Sequence, residues 1–239
     1  DDPPVLGAAP ATTPDEKQKT KASFDEHAES LRSNWAPNAT ITITPTDHYV
    51  APAAAYVDQI AAAQNIARRL RNKVILLGVA PTEPAELGYL SLGERVTDVP
   101  EVRVLPRFIE KSSASVAQGL IDQGALWSTM VTCGTVDALW ELGREADPHL
   151  LEILDSLVPL IGTDDEDDAL EYIYRAYLPV TFSRDILERA PGRLAALELT
   201  GVAWSHWGKP EQIESVLALR RSRALVGCAD TRMRGWHRP

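Results

Sequence analysis

The stretch 40-TITITPTDHYV-50 decides how this chain is read. Isoleucines at 41 and 43 alternate with threonines, the period-two, β-branched pattern of a strand with one face buried. Pro45 then stops the ladder, because it has no N–H to donate. Asp47 and His48 are thereby set just past the carboxyl end of a strand. In open α/β sheets that rim is where ligands bind.

Working outward, "AAAYVDQIAAAQNIARRLRN" follows, with Tyr56, Ile60, Ala63, Ala67 and Leu70 recurring every three or four residues. That spacing predicts an amphipathic helix with a basic last turn. "KVILLGV", residues 73–79, is a continuous apolar run, as in a strand covered on both faces. Strand, helix and strand in succession make a βαβ unit, whose crossover is expected to be right-handed. "VRVLPRFIEK", 102–111, alternates again, and "SSASVAQGLIDQG" reads as a short helix closed by Gly124. "ALWSTMVTC" is a further strand, followed by helical stretches near 135–146 and 148–161. "TDDEDDALEYIYRAY" opens with the acidic turn that suits a helix start. "RLAALEL" is a late strand and "KPEQIESVLALRR" a late helix.

Residues 1–37 are rich in Pro, Ala, Thr and charge, and read as an irregular arm with one short helix, capped by Ser23 with Glu26 three residues on. Residues 38–219 form the expected α/β domain. The last twenty residues carry six Arg against one Asp and read as a basic, solvated tail.

The chain has 239 residues, 44% of them hydrophobic, and a formal charge of −10, enough to bury a substantial core. The acidic balance argues against a nucleic-acid partner, which calls for a basic footprint. No apolar run approaches the roughly 20 residues that span a bilayer, so no membrane partner is expected. No secretory signal pattern is visible. Cys133 and Cys228 are the only cysteines, which suits a reducing, cytoplasmic setting.

Asp47 is a candidate ligand for a divalent cation, to be completed by a phosphate substrate; the plainer reading is a cap for the helix that starts near Pro52. His48 reads as a packing residue. Glu110 and Lys111 end the "RFIEK" run, where a Lys could neutralise phosphate and a Glu accept from sugar hydroxyls; the plainer reading is a surface ion pair. In "AWSHWGKPE", His206 sits between two tryptophans and is a candidate ligand or acid/base group. The acidic run 164–168 lacks the spacing of a calcium loop.

Four segments, in order, resemble the sugar-phosphate nucleotidyltransferases of the mannose-1-phosphate guanylyltransferase type. "TPTDHYV" is similar to that family's Pro-Ser-Asp-His segment, and "LLGVAPTEPAELGYLSLGE" to its Gly-[IV]-x-Pro-Thr-x-Pro-Glu stretch. "RFIEKSSASVAQGLIDQGALWSTMV" resembles Phe-Val-Glu-Lys-Pro followed by Leu-Trp-Asn, and "VAWSHWGKPEQI" resembles Gly-Trp-Ser-Asp-x-Gly. The resemblance implies a three-layer α/β/α sandwich with a mostly parallel sheet, incomplete at its N-terminus. It implies transfer of a nucleotide from a nucleoside triphosphate, GTP in the first instance, to a sugar 1-phosphate, with release of pyrophosphate. Asp47 would be the magnesium ligand, Gly88 the point of backbone approach to the sugar, Glu110 the acceptor for its hydroxyls and Lys111 the partner of its phosphate. Ser128 stands where the family has Asn, and Ser112 where it has Pro.

By the same resemblance, His206 stands where the family has its second metal carboxylate. An imidazole supplies no charge when neutral and suits zinc or manganese better than magnesium. The sequence contains no Gly-Gly-x-Gly-[ST]-Arg phosphate loop. A non-catalytic sugar-phosphate-binding relative is therefore the alternative, with a metal-dependent hydrolase using Asp47 and His206 behind it. A homo-oligomer is left open.

Overall fold

A computed structural model describes residues 38–176, 179–208, 213, 214 and 217. The arm expected at 1–37, most of the late helix and the basic tail lie outside the described residues. Among those described, the chain divides into two compact units. One is the α/β unit, from Asn38 to Asp147 and again from Thr181 onward; the other is a helical unit over Pro148–Val180.

The α/β unit begins with β1 (Thr40–Ile43) and β2 (His48–Ala51), then helix α1 (Ala53–Arg69) and β3 (Val74–Val79). Four short strands follow: β4 (Tyr89–Ser91), β5 (Arg95–Val96), β6 (Val99–Val104) and β7 (Arg107–Ile109). Helix α2 (Ala114–Asp122), the long strand β8 (Leu126–Thr135) and helix α3 (Val136–Ala146) come next. After the helical unit, a π-helical turn at Phe182–Leu187 leads to β9 (Leu194–Glu198) and β10 (Ala203–His206). The helical unit consists of α4 (Pro148–Leu157), a 3₁₀ turn and α5 (Glu166–Ala176), the last with Glu166, Asp167 and Asp168 in its first turn, where the helix dipole favours them.

The main sheet runs β5-β6-β9-β3-β8-β4-β7, with β1 also on β8; β2 and β10 form a separate ribbon. Of these pairings only β3 with β9 is parallel. The sheet is therefore mixed, which corrects the expected mostly parallel arrangement. β1 and β3 do point the same way, but antiparallel β8 lies between them. The α/β/α layering holds. α1 and α2 bury Ala63, Ile66, Ala67, Ala117 and Leu120 against one face, together with Ile75, Leu77, Val131 and Leu197. On the other face α3 packs on β3, β8 and the π-helical turn, burying Ala138, Leu142, Ile186 and Leu187. Thr135 caps α3, its Oγ1 accepting from Ala138 N–H at 3.1 Å.

Two strand readings change. In β1 the inward face is the threonine face: Thr42 Oγ1 meets Cys133 Sγ at 3.4 Å and accepts from Gln64 Nε2, while Ile41 and Ile43 are 41% and 45% exposed. The run 102–111 is broken at Leu105–Pro106, because proline cannot continue a ladder, into β6 beside β9 and β7 beside β4. Both belong to one bent antiparallel hairpin with β4 and β5, continuous through Gly93 N–H to Val104 O and Val104 N–H to Glu94 O, each 2.8 Å. One half of the hairpin pairs with β8 and the other with β9, so the path of the sheet starts and ends in the same hairpin.

Candidate functional site

β2 and β10 pair antiparallel, His48 opposite His206 and Val50 opposite Trp204. The ribbon is extended by Trp207 N–H donating to Asp47 O at 2.7 Å. This register brings His206 Nε2 to 3.0 Å from Asp47 Oδ2. Asp47 is about half exposed, so its carboxylate faces solvent while remaining tied to the ribbon. His48 turns the other way from solvent, with its side chain only 7% exposed, edge-on to Trp204 at 5.0 Å between ring centres. Burial lowers the His48 pKa below its ordinary value; Asp47 opposes this and His206 adds to it. Among the described residues its Nδ1 has no partner. Tyr49 stacks flat on Trp207 at 5.3 Å, which stiffens the outer end of the ribbon.

A second cluster forms along β8. One edge of that strand is shared: β1 covers Thr132–Thr135 and β4 covers Leu126 and Trp127. Between them the strand bulges, since Leu76 pairs with Thr132 but Gly78 already pairs with Ser128. Met130 sits in the bulge at φ 56°, a left-handed conformation uncommon outside glycine. Hydroxyls replace the missing ladder there. Ser128 Oγ accepts from Met130 N–H at 3.1 Å, and Thr129 Oγ1 accepts from Val131 N–H while donating to Leu77 O at 2.7 Å.

Gly88 and Ser128 close the break on the β4 side, Ser128 N–H donating to Gly88 O at 2.7 Å. A Cβ at Gly88 would stand 2.9 Å from Phe108 Cζ, 3.2 Å from Glu110 Oε2 and 3.3 Å from Ser128 Cβ. Glycine is therefore what lets these three side chains converge. The loop before Gly88 is pinned by Tyr89, whose buried hydroxyl accepts from Ala85 N–H and Trp127 Nε1–H, both at 3.0 Å, and donates to Ala85 O. Beyond Glu110 the chain turns at Lys111 (φ 46°), which frees Glu110 and Lys111 from the opposite-facing rule of a strand.

The six residues singled out in the sequence thus fall into two groups. Asp47 and His206 are in contact, and Gly88, Glu110 and Ser128 are in contact, with Lys111 exposed beside Glu110. The strand leading to Asp47 leaves β8 at Thr132, and Gly88 meets the same edge at Ser128, on the other side of the bulge. Ser128 is buried with its hydroxyl turned to Met130, so it forms wall more than surface. Two participants had no signal in the sequence. Met130 needs a φ that no pattern announces, and Glu188, whose Oε1 accepts from Glu110 N–H at 2.6 Å, comes from a segment with no periodicity.

Asp47 Oδ2 and His206 Nε2 form an ion pair at 3.0 Å, and the same two atoms are the candidate protein donors for a divalent cation. Among the described residues there is no group of three or more His, Cys, Asp or Glu that could hold a metal, so phosphate oxygens and water would have to complete the shell. Among the same residues no helix is long and apolar enough to cross a membrane.

The mixed sheet, with helices packed on both faces, makes an α/β/α sandwich. Among solved structures the chain is similar to mannose-1-phosphate geranyltransferase from Thermus thermophilus, with 24% identity and a TM-score of 0.61 over 77% of this chain and 50% of that one. It is also similar to mannose-6-phosphate isomerase from Helicobacter pylori, with 16% identity and a TM-score of 0.57 over 76% of this chain and 69% of that one. At these identities the likeness is one of fold, and the chain spans half the length of the Thermus protein. No family model matches the sequence, and no curated protein matches it.

Proposed function

We propose that the chain binds a sugar 1-phosphate, mannose 1-phosphate in the first instance, and joins it to the nucleotide of a nucleoside triphosphate such as GTP, releasing pyrophosphate. The observation that carries this reading is the shared edge of β8. It has the Gly88–Glu110–Ser128 cluster on one side of its break and the strand leading to the Asp47–His206 pair on the other.

In this reading Gly88 lets the sugar approach the backbone and Glu110 accepts from its hydroxyls, with Ser128 packed behind them. Lys111 neutralises the sugar phosphate, so that a phosphate oxygen can attack the α-phosphorus as the bond to pyrophosphate breaks. Asp47 and His206 would hold Mg²⁺ or Mn²⁺, which when bound would offset charge on the phosphoryl oxygens. What the protein adds is in-line positioning in a site that needs little rearrangement. A reducing, cytoplasmic setting goes with this reading, as does the buried free thiol of Cys133.

A second reading is favoured by one feature. Asp47 is a single carboxylate whose Oδ2 is already engaged by His206 at 3.0 Å. A chain of this kind binds sugar phosphate without turnover. Calorimetric titration with mannose 1-phosphate and with GTP, each with Mg²⁺ and then Mn²⁺, tests both. Binding of both ligands and pyrophosphate release on mixing supports the transferase. Binding of the sugar phosphate alone supports the second reading, and binding of neither overturns both.

A further inference from the structure

We propose that Glu188 is the positioning residue of the sugar-phosphate subsite, acting through the backbone of Glu110; this rests on the sugar-phosphate reading above. Glu110 is the first residue beyond β7, so its N–H has no strand to pair with: the β4–β7 ladder ends at Tyr89 opposite Ile109. Glu188 Oε1 takes that N–H at 2.6 Å, a charge-assisted bond across 78 residues of chain, and the bond is partly shielded from water. The next residue, Lys111, holds a left-handed φ of 46°. An uncommon backbone conformation persists only where its surroundings fix it, and the bond from Glu110 N–H to Glu188 is made at the residue just before it.

Glu188 is itself held firmly. It follows the π-helical turn Phe182–Leu187, whose Ser183, Ile186 and Leu187 are buried, and its own N–H donates to Ser183 O at 3.0 Å. Asp185 steadies the same turn, accepting from Thr181 N–H at 2.8 Å and pairing with Arg189 at 3.1 Å. A π-helical turn shifts the following residue by one position relative to an α-helix, and such turns recur at functional sites. Here the shift delivers a carboxylate to the end of β7. The consequence lies at Glu110, whose own carboxylate stands over Gly88. Glu188 sets where that acceptor and the Lys111 ammonium point, without having to touch substrate.

The test uses the full chain and two variants. Glu188→Ala removes the acceptor, whereas Glu188→Gln keeps an amide oxygen that can still take the Glu110 N–H. Amide exchange at Glu110, read by ¹⁵N NMR, is expected to quicken about tenfold or more in E188A and to stay near the parent rate in E188Q. In parallel, the Kd for mannose 1-phosphate is expected to rise about tenfold in E188A and to recover in E188Q, with the GTP titration unchanged in both. If exchange at Glu110 does not respond to E188A, the positioning role is overturned whatever the ligand does. If E188Q binds sugar phosphate as poorly as E188A while protecting the amide, the charge itself acts and the role is again overturned. If the parent chain binds no sugar phosphate but the exchange pattern holds, the sugar-phosphate reading fails and the Glu188–Glu110 contact stands.

Discussion

His206 meets Asp47 because β2 and β10 pair in a register that places His206 opposite His48, carrying Nε2 to 3.0 Å from Asp47 Oδ2. Across this contact an imidazole stands where a second carboxylate would strengthen a cation site. Two carboxylates this close repel one another until a cation arrives between them. His206→Asp should therefore lower the stability of the metal-free chain by roughly 1 kcal/mol and raise Mg²⁺ affinity about tenfold in the presence of substrate. Asp47→Asn should do the reverse to Mg²⁺, weakening it by a similar factor. Calorimetry with Mg²⁺ read across the three proteins checks this, and equal affinities would remove the pair from the cation site.

Gly88 and Gly78 separate a site effect from a core effect. At Gly78 a Cβ would stand 2.8 Å from both Leu126 Cβ and Leu90 Cδ1, inside the packed sheet, so Gly78→Ala should cost about 1–3 kcal/mol of stability. At Gly88 the added carbon meets the ring tip of Phe108 and the carboxylate of Glu110, one of which can move. Gly88→Ala should cost about 1 kcal/mol or less, yet weaken mannose 1-phosphate binding more than Gly78→Ala does. Thermal unfolding and titration of the two variants give the comparison. A Gly88→Ala chain that binds like its parent would place the sugar elsewhere.

Met130 holds φ 56° in the β8 bulge. A β-branched side chain tolerates that conformation worst, and glycine tolerates it freely. Met130→Val should lower stability by about 1–2 kcal/mol. Met130→Gly should leave the melting temperature near or above its parent value, the relief of backbone strain offsetting the lost side-chain contacts. The opposite order in a denaturant titration would mean that the side chain, not the backbone, maintains the bulge.

His48 gives the fold a pH dependence whose sign is fixed. Its pKa is depressed in the folded chain, chiefly by burial, from an ordinary value near 6.5. Around and below that ordinary value the unfolded chain therefore binds the proton that the folded chain resists. The His48 contribution is fully present above about pH 7. It declines as the pH falls through 6.5, and levels off below the depressed value. His48→Phe, which keeps an aromatic edge against Trp204, should flatten the fall in melting temperature between pH 7.5 and about 5.5 measured with chelator present. A slope identical to the parent's would show that His48 does not carry it.

What was legible in the sequence was whatever a single element decides for itself. The 3.6-residue recurrence through Tyr56, Ile60 and Ala63 is α1, and the unbroken run Val74–Val79 is a fully buried strand. Gly124, at φ 78°, ends α2 as its position predicts. Pairing partners were not legible. Thr42 faces inward because Gln64 and Cys133 wait there, contacts that only the assembled sheet creates. The strands β4 and β10 are three and four residues long and owe their existence to neighbours far along the chain. Asp47 and Glu110 could be picked out by their surroundings in sequence. Glu188 could not, since its role depends on one contact made across 78 residues.

The hairpin formed by β4–β5 and β6–β7 has a mechanical meaning. It fastens to β8 at one end and to β9 at the other, so it works as a strap across β3, loaded from both flanks. Prising apart the rim near Gly78 and Gly88 requires two ladders to yield together, and neither can peel back alone. The chain leaves this unit for the helical segment Pro148–Val180 between α3 and the π-helical turn, two elements that take no part in the strap.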